Sequence, residues 1–282
     1  MALILAISST VTSGHVGNSA AVFALQRLGH EVWPVTTIAL PHHPGHGAVA
    51  DAARLVTPPS VLAATLETLS ARGLADAIDA VAIGYMAEPG QTEVTAGWVS
   101  ELKAARPAVR VLVDPILGDG GRLYVPGAVA DAARALLLPV ADMLTPNLFE
   151  LGWLAGAPVR TEAEALDAIR QLAVAETVVT SAPAPPGRAA NLLVAPEGAC
   201  IAETDRFDTV PNGTGDLFSA LYLGARMAGA TPEVALGRAT AGTHATLLRT
   251  VAAGARELAQ VAAPADFAAP EATSVRQIGA AS

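Results

Sequence analysis

The sequence predicts one α/β domain, a parallel sheet covered by helices on both faces, and three observations predict it. Apolar runs alternate with segments of helical period through most of the 282 residues. The runs are continuous in Val, Ile and Leu rather than alternating with polar residues, as in strands buried on both faces. No linker interrupts the rhythm, and the 52% hydrophobic content is mostly alanine, valine and leucine with 4% aromatics, which suits close helix-on-sheet packing.

The elements follow in order. "LILAI" is a strand whose apolar run ends after Ile7, and a helix begins near Asn18 in "VGNSAAVFALQRLG". "EVWPVTTIAL" is the second strand, "SVLAATLETLSARG" a helix, "AVAIGY" a strand and "EVTAGWVSELKAA" a helix. "RVLVDP" is a strand that delivers Asp114 to its end, where Pro115 stops it. Beyond residue 125 come the helix "AVADAARALL", the strand "ADMLTPN", the helices "NLFELGWLAG" and "EAEALDAIRQLAV", and the strand "TVVTS". The proline-rich "APAPPGRA", 182–189, reads as a loop entering a hairpin of "NLLVAP" and "GACIAET". In "VPNGTGDLFSALYLGARMAG", Gly213, Thr214 and Gly215 allow unusual backbone dihedrals, and Leu217, Leu221 and Leu223 with Phe218 and Tyr222 form the buried stripe of a helix. The domain is expected to span 1–265, and 266–282, with little patterning, to be a loosely ordered tail.

Net charge is −9, from 17 Lys+Arg against 26 Asp+Glu, which argues against a nucleic-acid or anionic-membrane partner and for small molecules and self-association. The single cysteine, Cys200, has no intramolecular disulfide partner and fits a reducing cytosol as a small buried hydrophobe. The N-terminal apolar run is too short for a membrane span and lacks a basic flank, so a cytoplasmic protein is expected. Lys103, the only lysine, is expected on a polar helix face, which disfavours Schiff-base chemistry.

Four strand ends carry chemistry. "SSTVTSGHVGNSA", 8–20, offers hydroxyls before a helix start; it can hold a ligand or be an ordinary βα turn, and it is not a dinucleotide fingerprint because G-x-x-G stands where G-x-G-x-x-G is needed. "LPHHPGHG", 40–47, clusters His42, His43 and His46 without a nearby carboxylate or cysteine, so a substrate-covering loop is preferred to a metal site. "VLVDPILGDGGRLYVP" places Asp119 five residues after Asp114; both are hard oxygen ligands suited to Mg²⁺, although Asp119-Gly120 is also a turn signal. "ADMLTPNLFEL" ends a strand at Thr145 and puts Glu150 in the first turn of the next helix, where it could equally complement the helix dipole.

Together these ends converge on one face with the glycine-rich helix start, whose N–H groups attract phosphate. Asp216 directly behind that start is explained if it takes a proton from a group attacking the phosphate. The predicted chemistry is nucleotide-dependent phosphorylation of an alcohol, without a Walker loop, which needs a lysine the chain lacks there.

The segments "GHVGNSAAVFALQRLGHEVWPV", "DPILGDGGRLYVP", "LTPNLFEL" and "NGTGDLFSALYLGA" resemble the pyridoxal kinases of the ribokinase-like superfamily, in the family's order and over residues 3 to about 228. The resemblance implies a three-layer α/β/α sandwich with a mostly parallel central sheet and a lid reduced or absent. It implies a homodimer that phosphorylates the 5′-hydroxymethyl of pyridoxal, and of pyridoxine and pyridoxamine, with ATP and Mg²⁺, often aided by K⁺. Carried over by residue, Ser9 holds the pyridine ring, and Pro44, Gly45, Tyr85 and Tyr124 lie on the substrate side. Asp114, Thr145, Asn147, Glu150, Thr180, Ser181, Asn212, Gly213 and Thr214 contact ATP, and Asp119 and Glu150 serve the metal. Gly213, Thr214 and Gly215 form the anion hole and Asp216 is the base. Two segments depart from the family pattern. His42-His43-Pro44-Gly45-His46 stands where Asn-His-Thr-Gly-Tyr is common, so Pro44 removes a hydroxyl and an N–H from the acceptor side, and Ser8 replaces a frequent glutamine. The alternatives are a hydroxymethylpyrimidine kinase of thiamin synthesis, whose anion-hole motif often carries cysteine, and a non-catalytic B6-binding protein, which would need none of Asp216, Asp119 and Glu150.

Overall fold

The computed structural model describes residues 1–262, 265 and 272–279. In chain order the first elements are β1 (Leu3–Ser13), α1 (Asn18–Arg27), β2 (Glu31–His42), β3 (Leu55–Val56), α2 (Pro59–Ala71), β4 (Ala80–Ile83), α3 (Pro89–Ala105) and β5 (Arg110–Val113). A short hairpin comes next, β6 (Gly118–Asp119) and β7 (Arg122–Leu123), then α4 (Gly127–Ala132), β8 (Met143–Leu144), α5 (Leu148–Ala155), α6 (Glu162–Leu172) and β9 (Glu176–Ala182). The chain continues with β10 (Arg188–Ala195), β11 (Gly198–Asp205), α7 (Thr214–Met227), α8 (Pro232–Ala252) and β12 (Val275–Ile278).

The main sheet runs β12-β11-β10-β9-β8-β5-β4-β1-β2-β3. Its centre, from β2 through β9, is parallel, and antiparallel strands finish both edges. Alternation within single strands feeds two helical layers. Ile4 and Ala6 of β1 join Leu25 of α1 and Leu217 and Leu221 of α7, whereas Leu5 and Ile7 face Leu62 and Leu66 of α2 and Val99 of α3. Helices α5 and α6 extend the second layer, with Leu151 and Ile169 against Val179, Leu192 and Ile201. Phe218 and Tyr222 are fully buried, each worth about 2 to 3 kcal/mol of apolar transfer. The three-layer sandwich expected from the sequence is therefore present, and after β2 the chain makes only a short excursion through β3 in place of a lid domain.

Four features differ from expectation. β1 continues past its apolar run to Ser13 because β2 keeps pairing with it as far as His42, and the register shifts between Ser8 and Thr10. The long helix α8 has no counterpart in the sequence reading, although Thr231 caps it and Pro232 occupies its first turn. Lys103 lies on no solvated face, since its Nζ donates to Val140 O (3.0 Å) and Asp142 Oδ1 (2.8 Å). Of the expected tail, 266–271 and 280–282 lie outside the described residues, but Val275–Ile278 forms the edge strand β12 on β11, with Val275 and Ile278 turned partly inward and Arg276 and Gln277 exposed. The open edge of β11 supplies the backbone partners that order this segment.

Candidate active site

The carboxyl ends of β1, β4, β5, β8 and β9 and the start of α7 meet on one side of the sheet, as expected where ligands gather in open α/β folds. Ser9 falls at the irregularity between β1 and β2, and irregularities of this kind re-aim side chains near sites. Asn18 clamps that point, its Nδ2 donating to Ser8 O (3.2 Å) and Val35 O (3.1 Å). A Cβ on Gly17, where φ is +54°, would lie 2.3 Å from Ser9 Oγ, so only glycine lets this turn close on Ser9. The Tyr85 N–H donates to Ser8 Oγ (3.1 Å), and Thr37 Oγ1 donates to Tyr85 O (2.7 Å), which fixes the β4 end beside β1. Burial raises the Tyr85 phenol pKa.

Three carboxylates occupy the floor. Asp114 is buried, and Ser219 Oγ donates to its Oδ2 at 2.8 Å. Because the Ser219 hydroxyl hydrogen is thus committed, the 2.8 Å contact between Thr145 Oγ1 and Ser219 Oγ has Thr145 as donor. Burial, then the negative charges of Glu150 and Asp216, hold Asp114 well above the ordinary carboxylate range. Glu150 is buried as well: its Oε1 accepts from Leu117 N (2.7 Å) and Gly118 N (3.3 Å), and its Oε2 from Asn147 N (2.9 Å). Burial pushes its pKa up to about 7 against those three bonds. Glu150 is also half of a capping box with Asn147, so the helix-start reading holds.

Asp216 enters from the start of α7. Gly213 caps that helix with φ +88°, and a Cβ there would meet His15 O at 1.8 Å. The close approach of the two backbones therefore requires glycine at this position. The Asp216 carboxylate accepts from the Gly17 N–H and from its own N–H; burial outweighs both and lifts its pKa to about 6. Thr214 and Gly215 stand in the same first turn, where backbone donors point outward, and Thr214 Oγ1 donates to Pro211 O (2.8 Å).

The remaining expected residues surround this centre. Asp119 sits exposed in the β6–β7 hairpin with Oδ1 accepting from Gly120 N (2.7 Å), so the turn signal was correct, and its charge bears on Glu150. Tyr124 is 57% exposed, its phenol pKa raised by burial and by Asp119 and Glu150. Asn147 spends its Oδ1 on the α5 cap and one Nδ2 hydrogen on Gly118 O (2.8 Å), which leaves the second Nδ2 hydrogen for a ligand. Thr180 pairs with Pro146 at the β9 end, and Ser181 beside it is exposed with φ +54°. Gly45 abuts Asn212: a Cβ on it would lie 2.9 Å from Asn212 Nδ2, so the loop with Pro44 reaches the segment just before α7. The sequence reading missed Gly17, Asn18 and Ser219. For Ser219 a signal existed, since it follows Asp216 by three residues and lies one helical turn on.

The arrangement of backbone donors at a helix start, a proton acceptor beside them and buried acids at neighbouring strand ends is equipped for phosphoryl transfer. Residues 46–260 match the family model described as phosphomethylpyrimidine kinase. The pyridoxal kinase PdxY of Rubrobacter xylanophilus is 38% identical over 275 residues, covering 95% of this chain and 94% of that one. The pyridoxine/pyridoxal/pyridoxamine kinase of Bordetella bronchiseptica is 38% identical over 267 residues, covering 90% and 92%. The pyridoxal kinase of Leishmania donovani in complex with ADP and pyridoxine superposes with a TM-score of 0.92 at 26% identity, over 98% of this chain and 99% of that one. With relatives this similar end to end, and with buried acids gathered at its strand ends, the chain is a kinase and belongs to the pyridoxal kinase family.

Proposed function

We propose that this protein transfers the terminal phosphoryl group of ATP to the 5′-hydroxymethyl of pyridoxal, with pyridoxine and pyridoxamine as further acceptors. The observation that carries the proposal is Asp216: a carboxylate with pKa near 6, held by the Gly17 N–H at the mouth of a glycine-bounded helix start. Asp216 takes the proton of the attacking hydroxyl, and at pH 7 it is mostly ionised and available to do so. Backbone N–H groups of Thr214 and Gly215 receive the phosphoryl oxygens, with the Gly213 turn setting their direction. Ser9 and Tyr85 orient the acceptor ring, and Pro44 and Gly45 of the loop 40–47 cover it. Asp114 and Thr145, linked through Ser219, face the nucleotide together with Asn147, Thr180, Ser181 and Asn212.

The donor chemistry suits Mg²⁺. Asp119, Glu150 and Asp114 are hard oxygen donors, and Mg²⁺ is commonly held by one or two carboxylates together with phosphate and water ligands. Asp119 and Glu150 would hold the ion, directly or through water, and when bound it neutralises charge on the transferred phosphoryl. K⁺ as a second cofactor, a homodimeric state and a cytoplasmic location complete the proposal on the strength of the family resemblance.

The match to a phosphomethylpyrimidine kinase model keeps a second acceptor class in play, a hydroxymethylpyrimidine. An ADP-release assay across pyridoxal, pyridoxine, pyridoxamine and hydroxymethylpyrimidine decides between them. Turnover on the pyridine alcohols with little on the pyrimidine is expected; comparable rates on the pyrimidine overturn the acceptor, and no vitamer-dependent ADP release overturns the reading.

A further inference from the structure

We infer that Glu257 is a positioning residue whose carboxylate fastens the loop covering the acceptor, through His46, to the turn that touches the base. The inference rests on the reading of loop 40–47 as the cover of the acceptor side. Glu257 lies beyond the end of α8 and touches none of the groups assigned to the reaction, yet it stands next to two segments that do. Its Oε1 lies 2.9 Å from His46 Nε2, and its Oε2 accepts from His15 N at 3.3 Å. His46 Nε2 is shielded from solvent and makes no other hydrogen bond, so the Glu257 carboxylate is the polar group that faces it.

The seat for this carboxylate is built. Gly14 has φ +105°, and a Cβ there would come within 2.6 to 2.8 Å of the Glu257 carboxylate atoms, so a side chain at 14 would evict it. Gln260, fully buried, reinforces the same join: its Nε2 donates to His15 Nδ1 (3.0 Å) and Ser19 O (3.3 Å). Ala259 N donates to Thr250 Oγ1 (3.0 Å), anchoring the segment to the end of α8.

Both ends of the join reach the site. His15 O packs on Gly213, and two residues on, Gly17 donates to Asp216. On the other side His43 Nδ1 accepts from Gly45 N (3.0 Å), and Gly45 rests against Asn212. A loop held at His46 is therefore held over the acceptor side; the join meets the nucleotide side at Asn212 and Gly213, whereas Thr145, Asn147, Thr180 and Ser181 at the ends of β8 and β9 are untouched.

Glu257→Gln tests the inference in the full-length protein, because the amide oxygen still accepts from His15 N while an NH₂ group replaces the oxygen facing His46. Hydrogen exchange read by mass spectrometry is expected to speed up over 43–47 by about fivefold, as for loss of one partly exposed polar contact, with 14–17 changed less and the melting temperature retained. With MgATP and pyridoxal, the KM for pyridoxal rises by about fivefold while kcat and the KM for ATP stay within about twofold. His46→Gln gives the same pattern, and the double variant is no worse than either single one. Unchanged exchange over 43–47, an equal rise in both KM values, or additive effects of the two substitutions overturns the latch. Exchange needs no substrate, so if the unmodified protein phosphorylates no vitamer the acceptor reading fails while the latch is still decided.

Discussion

Replacing Asp216 by Asn keeps the shape of the side chain and the acceptor for the Gly17 N–H, and it removes the basicity. The structure sets two magnitudes. A positioned general base contributes ~10² to 10⁴ in rate, so kcat falls by that factor, about 3 to 5 kcal/mol of barrier. Stability moves the other way. Burial lifts the Asp216 pKa from 3.8 to about 6, so the folded state binds this proton more tightly than the unfolded chain. Its contribution to stability therefore falls as pH rises from about 4 to 6 and stays lost above that. A shift of this size is worth at most about 3 kcal/mol, and partial solvent access leaves about 1 to 2. Asp216→Asn is thus expected to melt at or above the parent temperature at pH 8, with the gain vanishing at pH 4. The parent's kcat should decline about tenfold per pH unit below pH 6. Stopped ADP-release assays and calorimetry at several pH values read both quantities. A variant that keeps nearly full turnover makes Asp216 a helix cap only, and a variant that loses turnover together with stability shows damage to the fold rather than removal of a base.

Glu150→Gln presents an NH₂ group to N–H donors in place of an oxygen, so it lowers stability by about 1 to 3 kcal/mol and flattens the magnesium dependence of the rate; an unchanged magnesium titration removes Glu150 from the metal. Pro44→Thr restores a hydroxyl and an N–H on the acceptor side and changes the KM for pyridoxal more than that for ATP, and equal effects make the loop inert. Glu176 begins β9, far from the strand ends of the site, and its carboxylate meets Arg226 Nη2 (2.7 Å), Arg110 Nη2 (2.9 Å) and the Tyr222 hydroxyl (3.0 Å). Burial there raises its pKa, but the Arg226 bonds and charge outweigh it and the net shift is downward. Arg226→Ala costs about 3 to 5 kcal/mol by denaturant unfolding and leaves the KM values unchanged below the melting transition; a loss under about 1 kcal/mol shows that Arg110 alone neutralises Glu176.

The fold was legible where burial on both faces leaves a continuous apolar run, as in "VAIG" and "VLVD", and where glycine or proline punctuates the helices. It was not legible where hydroxyl residues continue a strand. Ser8 to Ser13 have no apolar pattern, and only β2, a distant segment, makes them a strand. The same holds for Val275–Ile278, four residues that become a strand because β11 has an open edge. Helix α8 is rich in alanine, threonine and glycine, so its buried stripe of Ala235, Ala239, Thr243 and Thr246 carries little hydropathy contrast.

The candidate site divides along the same line. Its phosphate half is written in short local sequence, because a backbone anion site needs glycines at fixed offsets from a helix start: Gly213, with a neighbour at 1.8 Å from any added Cβ, admits no other residue. Its acceptor half is assembled from Ser9, Gly17, Tyr85 and the loop 40–47, brought together from three strands, and no local pattern announces such joins. Sequence drift is therefore constrained unequally. On the proposed roles, substitutions at Gly213 or Asp216 strike the chemical step, whereas a change such as threonine to Pro44 alters one side of a cover whose placement depends on contacts like that of His46 with Glu257, 2.9 Å apart. With the roles proposed for these residues, the acceptor side can change without touching the residues assigned to phosphoryl transfer, which is why the acceptor series, rather than the presence of the glycine-rich motif, is the decisive measurement.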